Sequence, residues 1–201
     1  EYLTDANILA CPSDPEYDPN TNFRLTAVHD GVQIGQVHPD CIGALSYVYV
    51  AYMMTSDSEM LAGFACYTWV NEFAMPITDP DANSWRDRNV NLTSFGFQEM
   101  GNAGGNVLNR LSAGVDRFLI TDINTIFTGE ETGASVVPVM WDQISTLITE
   151  FSHVPAGQNI LYLDGHVEFI RYDLNSTTFP VSPMYAAVNG GVEDYSFPYC
   201  P

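Results

Sequence analysis

The chain has 201 residues, 46% of them hydrophobic, which is enough to bury a sizeable core in one domain or two small ones. Its 6 basic and 25 acidic residues leave a formal net charge of -19, which repels phosphates and argues against a nucleic-acid partner or an anionic lipid surface. Only 15% of the residues are charged, while Thr, Asn, Ser, Gly and Tyr are plentiful, a profile suited to an exported β-rich protein.

Taken in chain order, residues 12–40 are rich in Pro, Asp and Asn and read as a loop excursion with a short turn at His29-Asp30-Gly31. Alternation over Ser46-Tyr-Val-Tyr-Val-Ala-Tyr52, with β-branched and aromatic side chains, predicts a strand within Cys41–Met54. Ser56–Met75 is apolar at helical spacing, with Met60, Leu61, Phe64, Tyr67 and Val70 on one side. Ser56, Asp57 or Ser58 would cap that helix and Pro76 would stop it. The stretch 78–106 is polar and turn-forming and reads as a surface insertion with little regular structure, its Gly101-Asn-Ala-Gly-Gly105 run a plain loop.

Further on, Leu108–Arg117 reads as a short helix, Phe118–Asp122 and Val136–Val139 as strands, and Trp141–Ile148 as a loop or helical turn. Asn159–Leu163 and His166–Ile170 flank Asp164-Gly165, the signal of a tight two-residue hairpin. Both turn residues tolerate the positive φ of a type I′ turn. Residues 173–201 form an extended tail punctuated by Pro180, Pro183, Pro198 and Gly190-Gly191. Strands grouped after a helix, without βαβ alternation, predict an α+β fold with an antiparallel sheet, one or two helices and long loops. No run of about 18 apolar residues is present, so no membrane span is expected, and no leader or signal peptide is apparent at Glu1-Tyr-Leu-Thr-Asp5.

His153, a spacer of ten residues (Val154 to Leu163) and then Asp164-Gly165 stand in the order of a longer pattern. Ahead of it come Cys11-Pro-Ser-Asp-Pro15, Ser46-Tyr-Val-Tyr49, Arg117-Phe-Leu-Ile-Thr-Asp-Ile-Asn124 and Val137-Pro-Val-Met-Trp-Asp142. Together they resemble the planctomycete-type prepilin "H-X9-DG" proteins, heads of type IV pilin and pseudopilin relatives, although the spacer is one residue longer than that family's. The resemblance runs through most of residues 1–180. It implies one pilin-like head domain over 1–201, on the cell surface or outside the cell, that lacks the family's N-terminal stalk helix. That helix is then cleaved, a separate polypeptide, or outside this sequence.

Four cysteines without C-x-x-C spacing, Cys11, Cys41, Cys66 and Cys200, read in an exported protein as two disulfides with three connectivities open. Cys11–Cys41 is favoured because it closes the loop holding Cys11-Pro-Ser-Asp-Pro15, and it leaves Cys66–Cys200 to hold the tail. Asn91-Leu-Thr93 and Asn175-Ser-Thr177 match the N-glycosylation acceptor pattern. Tyr185, Tyr195, Phe197 and Tyr199 in the tail are candidate subunit contacts, since such aromatics anchor interfaces. The edge of the late strands is another.

Asp122, Asp142, His153 and Asp164 lie in the family-like segments and are candidate ligands for a divalent cation, with calcium suggested by pseudopilin heads. Each also has a structural explanation, Asp142 as a helix cap and Asp164 as a turn residue. No EF-hand spacing, G-x-S-x-G elbow, H-E-x-x-H pair or phosphate loop occurs. An enzyme would need His153 with Asp122 or Asp142 as base and orienter, and nothing else asks for one. The expectation is therefore a non-enzymatic structural subunit of an extracellular pilus-like or pseudopilus-like filament. It would self-assemble into a homopolymer and require no cofactor. The alternative is a secreted module binding calcium or glycans.

Overall fold

The structure, a computed structural model, describes residues 5–15, 17–38, 41, 46–68, 89–112, 133–147, 150–153 and 157–193. These form an α+β fold of two helices with antiparallel sheets, as the grouping of strands after a helix predicts. Strands β1 (Tyr47–Tyr49), β4 (Pro138–Asp142), β5 (Gly157–Tyr162) and β6 (Val167–Arg171) make a four-stranded sheet in the order β1-β4-β5-β6. All three pairings are antiparallel. Strands β2 (Val90–Asn91) and β3 (Val107–Leu108) pair separately as a short ribbon.

Because side chains alternate across a strand, the register sorts the sheet into two faces. Val48, Trp141, Ile160 and Glu168 stand opposite one another on one face. Here Trp141 and Ile160 join the main core with Met60, Ala62, Cys66, Leu92, Leu108, Phe179 and Tyr185. The other face carries Tyr49, Met140, Leu161 and Val167 in one row. A second row holds Tyr47 opposite Asp142 and Asn159 opposite Phe169.

Helix α1 (Asp57–Thr68) is capped by the first of the three candidates the sequence offers: Ser56 Oγ accepts from the Glu59 N–H at 3.3 Å. Its buried stripe is Glu59, Ala62 and Cys66 with Met60, while Leu61 and Phe64 are only half-buried, so the inward face is rotated from the one predicted. Glu59 can face inward because its carboxylate accepts from Thr55 N and Asn102 Nδ2. Residues 69–75 of the predicted helix lie outside the described residues.

The structure corrects several other expectations. The described part of the stretch 78–106 has little regular structure, as expected, but is not wholly a surface insertion, since Val90 and Leu92 are buried in the main core. Leu108 ends β3 and Arg110 bridges to Tyr52, so the described start of the predicted helix Leu108–Arg117 is extended chain. Trp141 and Asp142 belong to β4 rather than to a loop. In the tail, Pro183–Glu193 is helix α2, started by Pro183 and packed through Tyr185 onto Trp141, with ring centroids 5.8 Å apart. Tyr185 is therefore core and not a subunit contact: it is 4% exposed and its hydroxyl accepts from Trp141 Nε1 at 2.7 Å. Tyr195, Phe197 and Tyr199 lie outside the described residues, as does the predicted strand Phe118–Asp122.

The hairpin forms where expected but with a different turn. Gly165 N donates to Tyr162 O at 2.9 Å, Tyr162 N donates to His166 O at 3.0 Å, and Gly165 alone of the loop has positive φ, +92°. This is a three-residue loop, a type I turn over Leu163-Asp164 closed by a glycine bulge. The two-residue turn with both central φ positive occurs instead at Asp30-Gly31, where φ is 49° and 80° and His29 pairs with Val32.

The pairing of the cysteines also differs. Cys11 and Cys66 are buried free thiols, so neither Cys11–Cys41 nor Cys66–Cys200 is formed. Cys41 is disulfide-bonded, and Cys200 lies outside the described residues. Burial pushes the Cys66 thiol up to about 11. No helix among the described residues is long and apolar enough to cross a membrane.

Candidate functional site

The densest convergence of chemical groups lies where the N-terminal loop covers the outer row of the sheet. Asp14, from the Cys11-Pro-Ser-Asp-Pro15 loop, accepts from Ser46 Oγ at 2.7 Å and from Ser152 Oγ at 3.5 Å. Ser152 Oγ also donates to Ser46 O at 3.1 Å, and Ser46 O accepts from Gln143 N at 2.9 Å. The loop is thereby stitched to β1, to the end of β4 and to the segment before β5.

That stitching brings three groups into line. Asp142, at the end of β4, is 2% exposed, and its Oδ2 accepts from Asn159 N at 2.6 Å and Asn159 Nδ2 at 2.7 Å. His153 Nδ1 lies 3.0 Å from the same oxygen, outside hydrogen-bond alignment, so the contact is a close ion pair whenever the ring is protonated. His153 Nε2 lies 3.6 Å from Cys11 Sγ. Cys11 is 3% exposed, whereas the His153 side chain is 30% exposed. In the tautomer that carries its proton on Nδ1, beside the Asp142 carboxylate, the Nε2 lone pair faces the thiol. Thiol, imidazole and carboxylate thus stand in the order that a base-assisted nucleophile would need. Tyr47, paired with Asp142 across β1, has its phenol pushed up first by burial and then by Cys11 and Asp142 beside it.

Of the candidate cation ligands among the described residues, the structure brings Asp142 and His153 together and leaves Asp164 apart. Asp164 sits in the turn beyond β5, where Oδ1 accepts from His166 N at 3.0 Å and lies 2.6 Å from His166 Nδ1. His166 in turn stacks on Tyr162, centroids 4.4 Å apart. Asp122 lies outside the described residues. Among the described residues no three His, Cys, Asp or Glu side chains converge in a metal-holding group. Asp142 does not cap a helix. Asn91 and Asn175, the glycosylation candidates, are both exposed, and each is engaged locally, Asn91 with Thr93 and Asn175 with Asp173. A shallow groove of about 800 Å³ at the end of β6, between Phe151, Arg171, Leu174 and Pro183, carries no nucleophile–base pair.

The hydrogen bonds from His166 hold the Asp164 carboxyl below its usual range. A carboxyl depressed on folding stabilises above its unfolded value, and that support is lost as pH falls through the lower folded value. The expected result is that His166 amide protection and the hairpin's shifts, followed by NMR, hold at neutral pH and collapse only below the ordinary carboxylate range. Asp164→Asn should weaken that pH response.

Cys11 is the site residue that sequence reasoning missed. It lies 142 positions from His153, and an even cysteine count assigns it to a disulfide. The pairing of His153 with Asp142, by contrast, is one of the two that the sequence offers. Compared with known proteins, the chain matches no protein-family model, no curated protein and no solved structure.

Proposed function

We propose that this chain is a pilin-like head serving as a non-enzymatic structural subunit of an extracellular filament that assembles from copies of itself. One observation carries the reading: the sheet is open on the side of β6. Among the described residues no strand pairs beyond it, and its outer face presents Val167 and Phe169, 62% and 52% exposed. The row that ends at Val167 runs back through Leu161 and Met140 to Tyr49, itself 62% exposed. An unprotected edge with apolar side chains recruits another strand or face. A contact between two different surfaces of identical subunits repeats without closing and so builds a fibre. The order of the family-like segments, a hairpin-ended antiparallel sheet and a packed α1 support the pilin-like reading.

The net charge of -19 opposes association, so assembly should depend on screening. Negative-stain microscopy of the native protein should show regular fibres at about 0.15 M salt and few at about 0.01 M. Val167→Glu should abolish them while leaving the monomer's melting temperature nearly unchanged, because the side chain is already solvated. Monodisperse particles at every salt concentration would sink the proposal. A secreted binding module would then take its place, tested first by calcium-dependent thermal stability.

A further inference from the structure

Among the described residues two buried free thiols stand in different surroundings, and the difference points to chemistry at one of them. Cys66 is 1% exposed on α1, lies among apolar core side chains and has its thiol pushed up to about 11 by burial. Cys11 lies in a loop, its sulfur 3.6 Å from His153 Nε2, with His153 backed by Asp142 at 3.0 Å and part of the imidazole in solvent. From this geometry we infer that Cys11 is a base-assisted exchange thiol whose substrate class is a disulfide.

The step is balanced within these groups. The Cys11 thiol proton passes to His153 Nε2, and Sγ attacks one sulfur of the incoming disulfide. That S–S bond breaks as the new Cys11 S–S bond forms, and the departing sulfur takes the proton back from Nε2. One disulfide is consumed and one formed, so no other oxidant or reductant is needed. Cys11 and His153 touch the reacting atoms. Asp142, itself held by Asn159, is a positioning residue that acts through the imidazole.

Disulfide exchange fits this site better than acyl transfer. A tetrahedral oxyanion needs N–H donors at the nucleophile, but Pro12 follows Cys11 and has no N–H, and the Asp14 N–H is occupied by Cys11 O at 3.0 Å. The neighbouring backbone group is a carbonyl, Ser152 O at 3.9 Å from Sγ, which would repel an oxyanion. A thiolate attacking sulfur needs no such hole. The disulfide has two sources with the same chemistry, a small molecule or the disulfide at Cys41 of another copy.

The test incubates the native full chain with glutathione disulfide, maps modified cysteines by peptide mass spectrometry over a pH series, and runs non-reducing gels in parallel. Cys11 should gain a glutathionyl group while Cys66 stays free. Its rate should depend on pH through the Cys11–His153 pair, with Asp14, Asp142 and Tyr47 the other titratable groups around it. His153→Gln should slow it about tenfold or more, the cost of losing a local base, and flatten the pH profile, with Asp142→Asn acting in the same direction. A Cys11–Cys41 link between chains in the arm without glutathione would also support exchange and identify the second copy as the source. If Cys11 in the wild type reacts no faster than Cys66, or if His153→Gln keeps its fold and its rate, the inference is overturned.

Discussion

Trp141→Ala is expected to cost about 3–5 kcal/mol, the usual range for removing a fully buried aromatic. Trp141 is 2% exposed and packs edge-on against Phe179 at 5.6 Å and Tyr185 at 5.8 Å. It joins the face of the sheet to α2, and Phe179 and Tyr185 pack on each other at 5.5 Å. Neighbours drawn from β4, the preceding loop and α2 cannot all move to fill the space, so the cavity persists. Its indole N–H donates to Tyr185, whose hydroxyl donates to Asn189 Oδ1 at 3.0 Å; Asn189 Nδ2 in turn donates to Ile144 O at 2.8 Å. Tyr185→Phe keeps the packing but orphans the indole N–H, so about 1–3 kcal/mol is expected there. Urea denaturation measures both as midpoint shifts at constant slope. A loss under about 1 kcal/mol for Trp141→Ala would mean that α2 does not pack on β4 as described.

Asn102→Ala should cost about 3 kcal/mol or more, despite removing only one small polar side chain. Asn102 is 7% exposed and Glu59, its partner, 4%. Asn102 Nδ2 donates to Glu59 Oε1 at 3.0 Å and to Met53 O at 2.9 Å, and Oδ1 accepts from Asn109 N at 2.7 Å. Truncation leaves a buried carboxylate oxygen, a carbonyl and an N–H without these partners. The double variant Glu59→Gln with Asn102→Ala should lose less than the two single changes added together, because the buried charge is gone. A double-mutant cycle read by thermal unfolding checks this, and additive losses would mean the two side chains are not coupled.

How much of this was legible beforehand depends on range along the chain. The α1 cap and the turn at His29-Asp30-Gly31 rest on contacts within a few residues, so local chemistry placed the turn and narrowed the cap to Ser56, Asp57 or Ser58. The hairpin was legible in place but not in turn type. Asp-Gly suits either a two-residue loop or a type I turn with a glycine bulge, and the register between Leu161 and Val167 selects the second. The inward face of α1 was misjudged because apolar spacing cannot anticipate that Glu59 is buried by partners at Thr55 and Asn102. Tyr185 was misplaced for a related reason: Pro and Gly in the tail suggested extended chain, but Pro is welcome in a helix's first turn and Gly190 sits where Ser145 leaves no room for a Cβ.

The candidate site divides along the same line. Residue type alone determined that His153 could work with Asp122 or Asp142, that the chain is strongly acidic, and that strands following a helix make an α+β fold. Only the tertiary structure decided that Cys11 is a free thiol beside His153, that Glu59 and Asn102 share a buried network, and that β1 and β6 are the outer strands of the sheet among the described residues. Side-chain chemistry and short-range propensity are written residue by residue. The meeting of positions 11, 142 and 153 depends on strand register and on a loop crossing the sheet, which no local pattern encodes.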